Sequence, residues 1–99
     1  MEFKTLGATG LQVSELCYGT MSFGGDADEA ESKKMFAACR DKGINFFDCA
    51  NAYSRGKAES ILGKLMASER DDLIITTKCF NQMSDDINSK GGNRRNILA

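Results

Sequence analysis

The sequence has no histidine, no Cys-x-x-Cys pair, no Gly-x-Gly-x-x-Gly, no excess of either charge and no long apolar run. Without histidine or closely spaced cysteines the usual zinc ligand sets cannot be assembled, so no metal site is expected. The 13 basic and 14 acidic residues are spread along the chain for a net charge of −1, which leaves no electrostatic footprint for nucleic acid or an anionic membrane. No apolar stretch approaches the ~20 residues that cross a bilayer. Nothing resembling a secretory signal precedes Gly7, so the expectation is a cytoplasmic protein whose four cysteines, Cys17, Cys39, Cys49 and Cys79, stay reduced. With no glycine fingerprint opening a helix after a strand, a Rossmann dinucleotide site is not expected either.

What is present reads as folded material. Hydrophobic residues make up 41% and charged residues 27% of 99 residues, ordinary globular usage for at most one small domain. Glu2 to Leu6 and Leu11 to Val13 flank Gly7-Ala8-Thr9-Gly10, which predicts a β-hairpin. Glu15 to Tyr18 is a candidate short strand, followed by a loop that Gly24-Gly25 should make flexible, with a hinge at the glycines. A helix is predicted from an Asp28 cap, with Glu31 three residues on, to a stop at Gly43. Met35, Phe36 and Cys39 form its apolar stripe, and Glu29 and Lys33 are spaced for an i,i+4 ion pair. Ala58, Ile61, Leu62, Leu65 and Met66 fall at i, i+3, i+4, i+7 and i+8 of a second amphipathic helix, which places Met66 with Met35 in the core. The run Leu73 to Thr77 has no polar alternation and much β-branching, as in a strand covered on both faces. After a polar stretch, Asn93 is placed to cap a third helix with Arg94, Arg95, Ile97 and Leu98.

The stretch from Gly43 to Tyr53 organises the rest. Ile44, Phe46 and Phe47 predict a short buried strand, Asp48 stands at its end, and Tyr53 lies in the loop beyond. The predicted strand ends, Gly19, Asp48 and Lys78, are 29 and 30 residues apart, the length of one strand-plus-helix unit. A (β/α)₈ barrel takes roughly 30 residues per unit and keeps its functional groups at the C-terminal ends of its strands. The predicted fold is therefore α/β, a partial (β/α)₈ TIM barrel made of the hairpin and the first three βα units. Taken singly, Asp48 is a turn former, Tyr53 a loop aromatic and Lys78 a strand-end charge. Together, at barrel spacing, they are the candidate catalytic residues. Cys49 reads as a small buried filler rather than a reactive thiol.

These residues resemble the aldo-keto reductase family over nearly the whole chain. Leu6 to Ser14 is similar to the family's N-terminal hairpin, which caps the bottom of its barrel, and Tyr18 to Gly25 to its first strand end and loop. Gly43 to Asp48 with Ala50 to Tyr53 resembles the signature that carries a catalytic Asp and Tyr; Thr76-Thr77-Lys78 resembles the strand that delivers a Lys. Asn93 to Ile97 is similar to the start of the third barrel helix. Cys49, Ala58 and Asn93 depart from the usual residues without removing a catalytic group. The family's catalytic His has no counterpart among these residues.

The resemblance implies that residues 1–99 are the N-terminal part of an NADP-dependent oxidoreductase barrel domain in which NADPH, or alternatively NADH, reduces a small carbonyl substrate. Tyr53 is then the general acid. A free phenol titrates near ~10 and is a poor acid at neutral pH; an ammonium beside it favours the phenolate, and Lys78, held by Asp48, takes that place. Gly19, Thr20, Met21 and Asp48 are the implied cofactor contacts, and the remaining cofactor grip lies on later strands. Some relatives in the family act as regulatory subunits of potassium channels, which leaves a non-catalytic interaction role as the alternative. A three-strand arc has two unpaired edges and exposed sheet and helix faces, so residues 1–99 alone are expected to be inactive and either unstable or self-associated through those exposed edges and surfaces.

Overall fold

The computed structural model describes Met1–Ala99. Two strands, β1 (Phe3–Thr5) and β2 (Gln12–Ser14), form the predicted antiparallel hairpin, with Phe3 opposite Ser14. A second sheet is parallel and runs in the order β3 (Tyr18–Gly19), β4 (Phe46–Asp48), β5 (Ile74–Thr76). Between its strands lie helices α1 (Glu29–Asp41) and α2 (Lys57–Leu65), and a short helix α3 (Arg94–Leu98) follows. The sheet is an open arc, with β3 and β5 each paired on one side only.

The end signals of α1 act as the sequence implies. Asp28 accepts a hydrogen bond from the Glu31 backbone N–H at 2.8 Å. At the other end Gly43 adopts φ 84°, its N–H donates to the Arg40 carbonyl and that of Ile44 to the Cys39 carbonyl. These two bonds make a Schellman stop, which needs a left-handed residue where only glycine is unstrained. The helix is thereby turned directly into β4.

Period-two alternation then sorts β4. Phe47 is fully buried against the helices, its ring centroid 5.1 Å from that of Phe36 and 6.1 Å from that of Tyr18. Phe23, Ile44, Ile61, Leu62, Met66 and Leu73 belong to the same core, and burying one such large side chain stabilises by ~2–3 kcal/mol. Phe46 and Asp48 consequently point to the opposite, inner face. Asn45, just before β4, clamps the hairpin: its Oδ1 accepts from the Ser14 N–H at 2.7 Å and its Nδ2 donates to the Gln12 carbonyl at 3.0 Å. The hairpin is thus fixed at the N-terminal end of the sheet, away from Asp48.

Five local expectations are corrected. The first parallel strand is Tyr18–Gly19, not Glu15 to Tyr18, because Ser14 closes the hairpin and its hydroxyl donates to the Leu16 carbonyl, bending the chain. Gly24-Gly25 is a hydrogen-bonded turn packed on α2 rather than an open loop: Gly24 sits at φ 78° with its N–H on the Ala27 carbonyl, and a Cβ there would lie 2.6 Å from Lys57 Cβ. Glu29 does not pair with Lys33 but reaches across to Lys64 of α2 at 3.3 Å. Met35 packs against the core from its half-buried edge rather than within it, and the fully buried place beside Phe36 on the core-facing side of α1 is taken by Ser32. Finally, Ile74, Ile75 and Thr76 of β5 are half-buried rather than covered on both faces: Ile75 packs against the core, and β5 is an edge strand of the open arc.

Candidate active site

The site is built by the ladder between β4 and β5. Asp48 is the last residue of β4 and is in register with Thr76, the last of β5. Pairing continues past both strands: the Cys49 N–H donates to the Thr76 carbonyl at 2.8 Å and the Asn51 N–H to the Lys78 carbonyl at 3.1 Å. That continuation draws Lys78, two residues beyond β5, alongside the loop that carries Tyr53. Residues separated by 30 positions in sequence meet because they leave neighbouring strands at the same end.

Lys78 is at the centre. Its Nζ donates to Asp48 Oδ2 at 2.7 Å, to the Cys49 carbonyl at 2.8 Å and to Tyr53 Oη at 3.2 Å. An ammonium has three N–H groups, and each has an acceptor here. Nζ also lies over the Tyr53 ring, 4.9 Å from its centroid, so the ammonium meets both the hydroxyl oxygen and the π face of the phenol. The other carboxylate oxygen of Asp48 accepts from Thr76 Oγ1 at 2.6 Å. Hydrogen bonds from Lys78 first and Thr76 second hold the Asp48 carboxyl below its ordinary value, while the bond to Asp48 pushes Lys78 up. Both stay charged across the neutral range.

All three predicted catalytic residues are therefore brought together at the C-terminal end of the sheet. The chain just after Tyr53 is strained: Ser54 and Arg55 have φ of 50° and 55°, followed by Gly56 at 93°. Such left-handed non-glycine residues cost about 1–2 kcal/mol each. The turn they form starts α2 and fixes where the phenol emerges.

The four predicted cofactor contacts fall into two kinds. Gly19 ends β3 in register with Asp48, with nothing within 4 Å of where a Cβ would lie, and Met21 is 68% exposed, so both stand open to solvent. Thr20, by contrast, is fully buried; its N–H and hydroxyl both donate to the Asp48 carbonyl, at 2.9 and 3.0 Å. It supports the strand end rather than presenting a side chain. Sequence reasoning missed Thr76 and the Cys49 carbonyl. Thr76 carried a usable signal, since it lies two residues before Lys78 and so on the same face of its strand; a main-chain carbonyl carries none.

Residues 15–99 match the model of the aldo/keto reductase family. The chain belongs to that family. Among its relatives, a rice (Oryza sativa subsp. japonica) protein described as a probable voltage-gated potassium channel subunit beta is 42% identical over 102 aligned residues, covering 99% of this chain and 31% of that one. An uncharacterised oxidoreductase of Bacillus subtilis, YrpG, is 45% identical over 92 residues, 86% of this chain and 28% of its own. The holo form of aldo-keto reductase AKR11C1 from Bacillus halodurans superposes with a TM-score of 0.79 at 34% identity, covering 89% of this chain and 29% of that structure. The arc of three βα units is thus the N-terminal part of an aldo-keto reductase barrel, and the chain spans about 30% of the length of the relatives it matches.

Proposed function

We propose that residues 1–99 form the N-terminal part of an NADP-dependent barrel domain that, when whole, reduces aldehydes and ketones to alcohols. The observation that carries this reading is the Lys78 ammonium held between Asp48 and Tyr53 at the strand ends. Because the Tyr53 oxygen accepts from Lys78, its own O–H is free to point at a substrate oxygen. Once that proton leaves, the phenolate faces an ammonium at 3.2 Å, which favours transfer as negative charge develops on the substrate. Asp48, pinned through both oxygens, keeps the ammonium in place. Reduced nicotinamide, when bound, supplies the hydride; Gly19 and Met21 would hold its ring, and NADH brings the same chemistry as NADPH. A cytoplasmic setting and a small carbonyl substrate go with this reading.

The test joins residues 1–99 to the remaining segments of the Bacillus halodurans relative and follows aldehyde-dependent NADPH oxidation. Tyr53→Phe should lower kcat at least ~100-fold, the contribution of a positioned general acid; a variant as active as the parent would end the proposal. The rice relative's description favours a second reading, a non-catalytic channel-subunit role for the whole protein. Under it the joined barrel perturbs nicotinamide fluorescence but turns over no carbonyl.

A further inference from the structure

Asp48 is the one member of the site whose position is set by another side chain outside the trio. Its carboxylate has two oxygens and, in a half-exposed site, free rotation would present either to Lys78 or to solvent. Thr76 removes that freedom. Its hydroxyl has a single proton, and that proton is committed to Asp48 Oδ1 at 2.6 Å, leaving Oδ2 to face Lys78 Nζ at 2.7 Å. The geometry is imposed by the sheet: Thr76 and Asp48 are register partners on adjacent parallel strands, so both side chains stand on the same inner face. Thr77, one residue on, points the other way and donates to Glu59 of α2. Alternation along three residues thus assigns Thr76 to the site, Thr77 to the helix and Lys78 to the site.

We propose that Thr76 is a positioning residue of this site, its hydroxyl locking the Asp48 carboxylate in the rotamer that directs one oxygen at the Lys78 ammonium. The inference rests on the reductase reading for its catalytic meaning, but the lock is measurable without turnover. The titratable groups whose charge Asp48 meets are Lys78 and, from the residue before β3, Cys17; neither is altered by changing Thr76.

The experiment is ¹³C NMR titration of the Asp48 carboxyl in the chain with Thr76→Val, which keeps the β-branch and removes the donor, and with Thr76→Ser, which keeps the donor. Thr76→Ala serves should valine disturb the strand, and Thr77→Val is the control for sheet loosening. Thr76→Val and Thr76→Ala should raise the carboxyl's titration toward its ordinary value. Thr76→Ser should restore it and Thr77→Val should leave it unmoved. An Asp48 that titrates alike with and without the Thr76 hydroxyl, that moves as far in Thr77→Val, or that titrates ordinarily in the parent chain overturns the inference. In the joined barrel, Thr76→Val should lower kcat roughly tenfold at unchanged KM, the loss of one hydrogen bond to a charged group. A joined barrel with no carbonyl reduction but an Asp48 titration that follows the Thr76 hydroxyl defeats the reductase reading and keeps the lock. Reduction that survives alongside an unresponsive Asp48 does the reverse.

Discussion

Residues 1–99 carry more surface than a self-contained molecule of their size, and the excess sets how they should behave when purified. The solvent-accessible area is 6622 Å², whereas a compact monomer of 10.8 kDa exposes about 5,500 Å². The radius of gyration agrees: 14.5 Å against about 12.6 Å for a compact chain of this length. The surplus of roughly 1,100 Å² is somewhat more than one partner's share of a standard interface. It is partly apolar, with Phe80, Ile87, Ile97 and Leu98 all more than half exposed, and the outer edges of β3 and β5 are unpaired. The 99-residue chain should therefore self-associate and draw part of its stability from doing so. For a dimer, a tenfold dilution removes about 1.4 kcal/mol of stability. Spread over an unfolding entropy of about 2.1 cal/mol/K per residue, that lowers the melting temperature by roughly 3 °C. With no tryptophan in the chain, far-UV circular dichroism melts at two concentrations tenfold apart are the natural assay, beside sedimentation velocity. A melting temperature independent of concentration, with a monomeric sedimentation coefficient at both, would refute the reasoning.

Two further outcomes follow from single contacts. Asp48→Asn should destabilise by about 1 kcal/mol or less at pH 7, because the Asp48–Lys78 pair is roughly a third to a half exposed and solvent screens it. The folded carboxyl titrates below its ordinary value of 3.8, so its contribution is fully present above that value and is lost as pH falls through the lower, folded one. The difference in urea midpoint between parent and Asp48→Asn, compared at equal concentration, should close as the pH is lowered below 3.8; a gap that persists unchanged shows that the charge is not what matters. Gly24→Ala should cost at least ~2 kcal/mol, since φ 78° strains an L-residue and the new Cβ meets Lys57 Cβ at 2.6 Å. Gly10→Ala has the same φ with nothing within 4 Å and should lose only the backbone part, so equal losses in thermal melts would remove the clash from the account.

The parts of this structure that were legible in the sequence are those governed by one element at a time. Asp28 and Gly43 delimit α1 through bonds made within a few residues, and the spacing of Ile61, Leu62 and Met66 declares the buried face of α2 without reference to what covers it. The convergence of Asp48, Tyr53 and Lys78 was also legible, through the barrel rule that strand ends gather, even though β5 ends at Thr76 and Lys78 is reached only by pairing beyond the strand. What escaped depends on two elements at once. Glu29 has a partner at the right helical spacing, Lys33, yet bonds to Lys64, because exposed i,i+4 pairs are worth only ~0.2–0.5 kcal/mol and the neighbouring helix brings a rival ammonium within reach. Gly24 looks like flexibility until Lys57 is set against it. Thr76 is one of two adjacent threonines, and only the register of β5 against β4 decides which of them meets Asp48. The run Leu73 to Thr77 shows the converse. Its apolar, β-branched composition suits a strand covered on both faces, while Ile74, Ile75 and Thr76 here are half-buried. A composition that asks for more burial than residues 1–99 provide identifies the β5 edge and its flanking faces as the surfaces where the excess area is to be covered, by a second copy or by further barrel.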